Sequence, residues 1–109
     1  MHFYNQFNKN LKKKRDKVFV NSISGKNIQL AYIHLDYGET TNHSHAQEQL
    51  GYILSGEIEI TIKGSKQICR SGDAYQIPSN VSHRFKIITE DGADYIEIFS
   101  PVKKDNSIP

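Results

Sequence analysis

The sequence predicts an all-β fold, a barrel or sandwich of short strands behind a short N-terminal arm. Three observations carry this. Short apolar or alternating runs recur about every 8–12 residues between Gly, Asn, Ser and Pro turn signals. No window of about twelve residues or more holds a helical period. Ile58, Ile60 and Ile62 alternate with Glu57, Glu59 and Thr61, the period-two pattern of a half-buried strand. A chain of 109 residues suffices for one domain with one compact core.

Residues 1–16 are polar and basic, with Lys12, Lys13, Lys14 and Arg15 in succession and Phe3, Tyr4 and Phe7 interspersed. They read as a solvated arm whose aromatics dock on a neighbouring surface, or as a basic patch that attracts an anion. The domain proper is expected over residues 17–109. Val18 to Val20 forms its first strand and stops at Asn21 and Ser22. Ile28 to Tyr37 alternates and ends at Gly38, and Leu50 to Leu54 ends at Ser55 and Gly56. Ile58 to Ile62 stops at Lys63 and Gly64. Lys66 to Arg70 precedes Ser71, Gly72 and Asp73, and Ala74 to Ile77 stops at Pro78. His83 to Thr89 stops at Glu90, Asp91 and Gly92, and Tyr95 to Phe99 ends at Ser100 and Pro101.

A net charge of +2 and a pI of about 8.6 are too mild to indicate nucleic acid. Cys69 is the single cysteine, which excludes an internal disulfide and a thiolate-built zinc site. No stretch approaches the ~18 apolar residues of a membrane span, and the first residues hold no signal-peptide run. The expectation is a cytoplasmic protein with neither a membrane nor a nucleic-acid partner.

Chemistry concentrates in Asn42–Ile60. Residues two apart in an extended chain point the same way, so His43 and His45 project to one face, and Gln49 has the same parity. His83, at the mouth of another strand, is a fourth candidate. Spacing alone leaves two readings open, a shared metal ion or two surface histidines. Imidazole and oxygen donors suit Zn, Ni, Fe, Mn or Cu. Three histidines and an amide contribute no ligand charge, so a bound ion would keep its full charge and favour an anionic ligand. Glu97 shares a strand face with Tyr95 and Phe99. It lines a polar cavity or lies on an edge strand, because a carboxylate inside an apolar strand is costly unless paired or solvated.

The segment from Gly38 through His43, His45 and Gln49 to Gly56 resembles the first motif of the cupin superfamily, and Gly72 through Pro78 to His83 resembles its second. The resemblance covers about residues 17–101. It implies a single-domain RmlC-like jelly-roll β-barrel. It also implies one divalent transition metal per chain (Zn, Ni, Mn or Fe) held by His43, His45, Gln49 and His83, and a homodimer formed through edge strands. Asn80 replaces a motif glycine, and Gln49 stands where glutamate is common. The His-Ser-His-x-x-Glu-Gln-x-Gly-Tyr run is similar to that of pectin-degradation cupins that open the ring of 4,5-unsaturated uronates. In those proteins the last strand ends in Asp-x-Phe-Ser-Pro followed by an arginine. Here Glu97, Phe99, Ser100 and Pro101 occupy that stretch, and Lys103 takes the arginine position. The resemblance thus implies a small acidic, sugar-derived substrate. Glu97 would transfer the proton, Lys103 would hold a carboxylate, and Phe99 and Tyr52 would shape the pocket. A three-histidine dioxygenase and a non-catalytic sensor of a sugar acid or metal are the alternative readings.

Overall fold

The computed structural model describes residues 2–40, 42–104 and 107–109. Its strands are β1 (Lys12–Arg15), β2 (Val18–Ser24), β3 (Gln29–Leu35), β4 (Gly38–Glu39), β5 (Glu48–Ser55), β6 (Ile58–Ile62), β7 (Ser65–Cys69), β8 (Ala74–Ile77), β9 (His83–Ile87) and β10 (Ala93–Ser100). One 3-10 turn, Phe7–Lys9, precedes them. All strand pairings are antiparallel. One sheet has the order β1-β2-β3-β10-β5-β8 and the other β4-β9-β6-β7. Ile33, Ile53, Tyr95 and Phe99 from the first sheet and Ile58, Phe85 and Ile87 from the second share one core.

Period-two alternation governs the larger sheet. In β3, β5 and β10 the odd-numbered residues are buried, apart from Ser55 at the end of β5, and the even-numbered ones face outward. Cross-strand register turns this into interior rows. Gln29, Phe99, Gln49 and Ile77 form one row, and Ala31, Glu97, Gly51 and Tyr75 form the next. β10 is central, so Glu97 is fully buried rather than on an edge. The outward rows are apolar too. Ile23, Leu30, Ile98 and Leu50 align across four strands, and Tyr32, Ile96 and Tyr52 across three.

Three differences from the sequence reading have physical causes. The basic stretch read as a solvated arm contributes β1, which pairs with β2 through Lys12↔Val20 and Lys13↔Phe19. A lysine-rich strand at a sheet edge keeps that edge from templating aggregation. β2 runs on through Asn21 and Ser22 to Ser24, because those polar residues pair with Tyr32 and Ala31 of β3, and ladder bonding overrides propensity. β4 is too short to leave a periodic signal and exists through its pairing with Ile87 and Lys86. At the far end of the chain Ile108 is fully buried, and its carbonyl accepts a 2.9 Å hydrogen bond from Arg15 Nη1.

Gly51 is a structural requirement. A Cβ there would lie 2.0 Å from Tyr75 Cζ, so the missing side chain is what lets the Tyr75 ring cross β5.

Outside the barrel, His34 ties β3 to β10. Its Nδ1 lies 2.6 Å from Asp94 Oδ1 and its Nε2 3.0 Å from Asp36 Oδ1, while Tyr32 donates to Asp94 Oδ2 at 2.8 Å. Burial pulls the imidazole pKa down, but the hydrogen bonds and charges of Asp94 and Asp36 outweigh it and raise the pKa above 6.5. A raised folded-state pKa contributes stability that is full below the unfolded value and lost as pH rises through the folded one. The unfolding free energy of wild type should therefore exceed that of His34→Asn by more at about pH 5.5 than at about pH 9. Equal differences at both pH values in urea titrations would rule out a doubly paired imidazolium.

Candidate metal centre

The histidine loop is tied to the second motif through its backbone. His43 and His83 exchange N–H···O bonds of 3.0 and 2.9 Å, and Asn80 N–H donates to His45 O at 2.8 Å. Asn80 takes φ 63°, a left-handed angle that asparagine tolerates in place of glycine. This brings the His43 and His83 ring centroids to 4.4 Å, those of His45 and His83 to 5.0 Å and those of His43 and His45 to 5.8 Å. One ligand nitrogen from each of the three rings lies within 4.8 Å of the others.

The tautomers follow from the neighbours. His45 Nδ1 lies 3.0 Å from Gln47 O, and His83 Nδ1 lies 2.9 Å from Val81 O. A carbonyl only accepts, so both Nδ1 atoms carry the proton and both Nε2 atoms present lone pairs. Burial lowers the His83 pKa to about 4, and burial together with the Lys103 charge lowers that of His45. The His45 and His83 rings are therefore neutral at pH 7. The Nε2 atoms of His45 and His83 and Gln49 Oε1 are buried without a hydrogen bond. Lone pairs converging in a buried space without a donor repel one another, and a cation resolves that conflict. The three imidazoles of His43, His45 and His83 thus fit a divalent transition metal of imidazole preference, and Gln49 Oε1 is a buried oxygen still lacking a partner.

Gln49 is held from behind. It is fully buried on β5, and its Nε2 donates to Glu97 Oε2, while its Oε1 is buried without a hydrogen bond. Tyr75 donates to the same Glu97 oxygen. Burial first, then the Glu97 charge, raises the Tyr75 pKa well above 10.0, so the phenol keeps its proton and remains a donor. Glu97 Oε1 is buried without a partner. Burial drives the Glu97 pKa up to about 7, although Tyr75, Gln49 and the Lys103 charge all pull it down. A carboxyl poised there can hold or release a proton near neutrality. Lys103 is buried, with Nζ 5.4 Å from the Phe99 ring centroid. Burial lowers its pKa to about 8, against the attraction of Glu97.

The three histidines meet the interior row through His45, whose ring centroid lies 6.1 Å from that of Phe99, and Phe99 in turn lies under Lys103 and beside Gln49, which bonds Glu97. Tyr52 lies outside this group. It is 45% exposed on the outer face, because its even position in β5 points it away from the interior. The sequence reading assigns no role to Tyr75 or to Gln29, whose side chain bonds the backbone of Lys103. Both occupy interior positions of their strands, and a polar residue at such a position is a usable signal.

A family model described as "Cupin domain" matches residues 31–99. The chain is 32% identical over 80 residues to the pectin degradation protein KdgF of Dickeya dadantii, covering 72% of each chain. The structure superposes on that of KdgF from a Halomonas species with a TM-score of 0.86, at 22% identity, covering 96% of this chain and 97% of that one. An RmlC-like cupin from Shewanella frigidimarina also gives a TM-score of 0.86 at 22% identity, covering 96% and 95%. Both superpositions establish the jelly-roll fold, and the family match together with the KdgF relationship establishes that this chain belongs to the cupins.

Proposed function

We propose that this cupin is a metal-dependent enzyme that opens the ring of an unsaturated uronate or a closely related small sugar acid. The observation that carries the reading is the bond between Gln49 and Glu97. It joins the group of buried ligand atoms directly to a carboxyl whose second oxygen has no partner. The relative named for pectin degradation supports the substrate class. The chemistry a divalent ion supplies in such a site is Lewis-acid polarisation of substrate oxygens. Glu97 Oε1 moves the proton, while Tyr75 and Gln49 hold Oε2 in place. Lys103 attracts the substrate carboxylate, and Phe99 forms the apolar wall beneath its ammonium. Cys69 is a free thiol, in keeping with a cytoplasmic setting.

We also propose a homodimer, built by packing the outward rows of Leu30, Ile98, Leu50 and Tyr52 against a second copy. Leu50 is 49% exposed, and none of these four positions carries a charge, so self-association there meets no like-charge opposition. This differs from the edge-strand dimer implied by the sequence resemblance, since β1 presents lysines along its edge.

Metal-stripped protein should take up one equivalent of Zn, Ni, Mn or Fe and gain about 2.7 kcal/mol of stability at a hundredfold excess over Kd. His83→Ala should lose both effects, measured by elemental analysis and thermal melts. Wild-type uptake by His83→Ala would place the metal elsewhere.

Reloaded protein should remove the absorbance of 4,5-unsaturated galacturonate or guluronate. Glu97→Gln should keep its metal and lose at least about 10²-fold in kcat. Wild-type turnover by Glu97→Gln would end the proton-transfer assignment. Oxygen uptake by the iron-loaded protein would point to a dioxygenase instead, and saturable binding without product to a sensor.

In sedimentation velocity the wild type should run as a dimer and Leu50→Lys/Tyr52→Lys as a monomer. A monomeric wild type would refute the packing of these rows.

A further inference from the structure

We infer that Gln29 is the positioning residue for Lys103 and thereby fixes where the substrate carboxylate sits; this rests on the reading of Lys103 as the carboxylate contact. Lys103 lies beyond the end of β10, outside any strand, where no ladder bond holds its backbone. A long side chain on an unanchored segment delivers its charge to no fixed point, because lysine retains rotamer and backbone freedom. Gln29 supplies the anchor. Its Oε1 accepts from Lys103 N–H at 2.9 Å, and its Nε2 donates to Lys103 O at 2.9 Å. One side-chain amide thus pairs with both backbone polar groups of one residue, as a neighbouring strand would. The amide is nearly solvent-free, with Gln29 2% exposed, so the pair does not compete with water.

The register explains why this anchor serves the site. Gln29 lies directly across from Phe99, and Phe99 directly across from Gln49. Clamp, apolar wall and amide ligand therefore form one interior row on three adjacent strands. The Lys103 ammonium rests over the middle member of that row. The strand spacing of about 4.8 Å then sets the offset between the carboxylate seat and the metal ligands, and with it the size of acid that spans them. Gln29 is the polar member of the inward positions of β3, where Ala31, Ile33 and Leu35 are all apolar.

The test uses full-length, metal-loaded protein with saturated galacturonate as a non-reacting probe. Titration calorimetry is run on wild type, Gln29→Leu, Lys103→Ala and the double variant. Each single variant should raise Kd about tenfold, and the double variant should bind no more weakly than Lys103→Ala alone. With 4,5-unsaturated galacturonate, Gln29→Leu should raise KM in the same proportion and leave kcat nearly unchanged. Wild-type affinity in Gln29→Leu, or additive losses in the double variant, would overturn the inference. Amide exchange by NMR supplies a readout independent of ligand and of variant folding. In wild type the Lys103 N–H should exchange at least about 10-fold more slowly than an unbonded amide. Unprotected exchange there would overturn the clamp outright. Should Lys103→Ala bind galacturonate like wild type, the carboxylate reading fails by itself, and the exchange rate still decides whether Gln29 holds the segment.

Discussion

The buried hydrogen bond between Gln49 on β5 and Glu97 on β10 is the contact on which the rest of the site depends. A carboxyl in the middle of a six-stranded sheet is expensive to desolvate, and this fold retains it by supplying two donors to one of its oxygens. The arrangement works only because Gly51, the residue directly across from Glu97 on β5, has no side chain. The gap admits the Tyr75 ring from β8 and leaves room for Gln49 to reach diagonally across. One glycine thus lets three strands converge on one carboxylate oxygen. The orientation of the Gln49 amide follows, since Nε2 must face the acceptor and Oε1 is then left unpartnered inside the barrel.

The fold was legible because its signal is redundant. Alternation in Ile58–Ile62, turn residues at most strand ends and the absence of a helical period all point to the same architecture, and agreement across levels marks a sequence that specifies one structure. What escaped was structure that owes its existence to a partner strand. β1 is a run of charges with no apolar period, and it becomes a strand because β2 offers an unpaired edge. β4 is two residues long and exists only beside β9.

The site was legible in a different way. His43, His45 and Gln49 share parity, and the structure keeps that parity through the loop that precedes β5. The same rule, applied to β5 itself, would have excluded Tyr52 from the pocket, because residues 49, 51 and 53 are the inward set. It would also have singled out Gln29 among the inward residues of β3. Polar residues at inward positions are few in this chain, and Gln29, Gln49 and Glu97 are buried members of the larger sheet that are tied to the site. What parity cannot give is pairing. That Gln29 meets the Lys103 backbone depends on a segment beyond the last strand, 74 residues away in sequence.

Two residues depart from the uronate-opening pattern, and the structure gives a physical account of how they fit together. A glutamate in place of aspartate reaches one methylene farther, and here that reach meets the donors on Gln49 and Tyr75. A lysine in place of arginine gives up the bidentate fork and delivers a compact charge. That charge is not left to wander, since the Lys103 backbone is bound on both sides by Gln29 and its ammonium lies over Phe99. Under the proposed function, uncharged imidazole and amide donors around a cation, with Lys103 beside them, would leave the interior short of negative charge, and Glu97 would offset only part of it. A site of that balance would favour an anion, and a small one, because the groups proposed to contact it lie within neighbouring rows of one sheet and the histidine loop beside it.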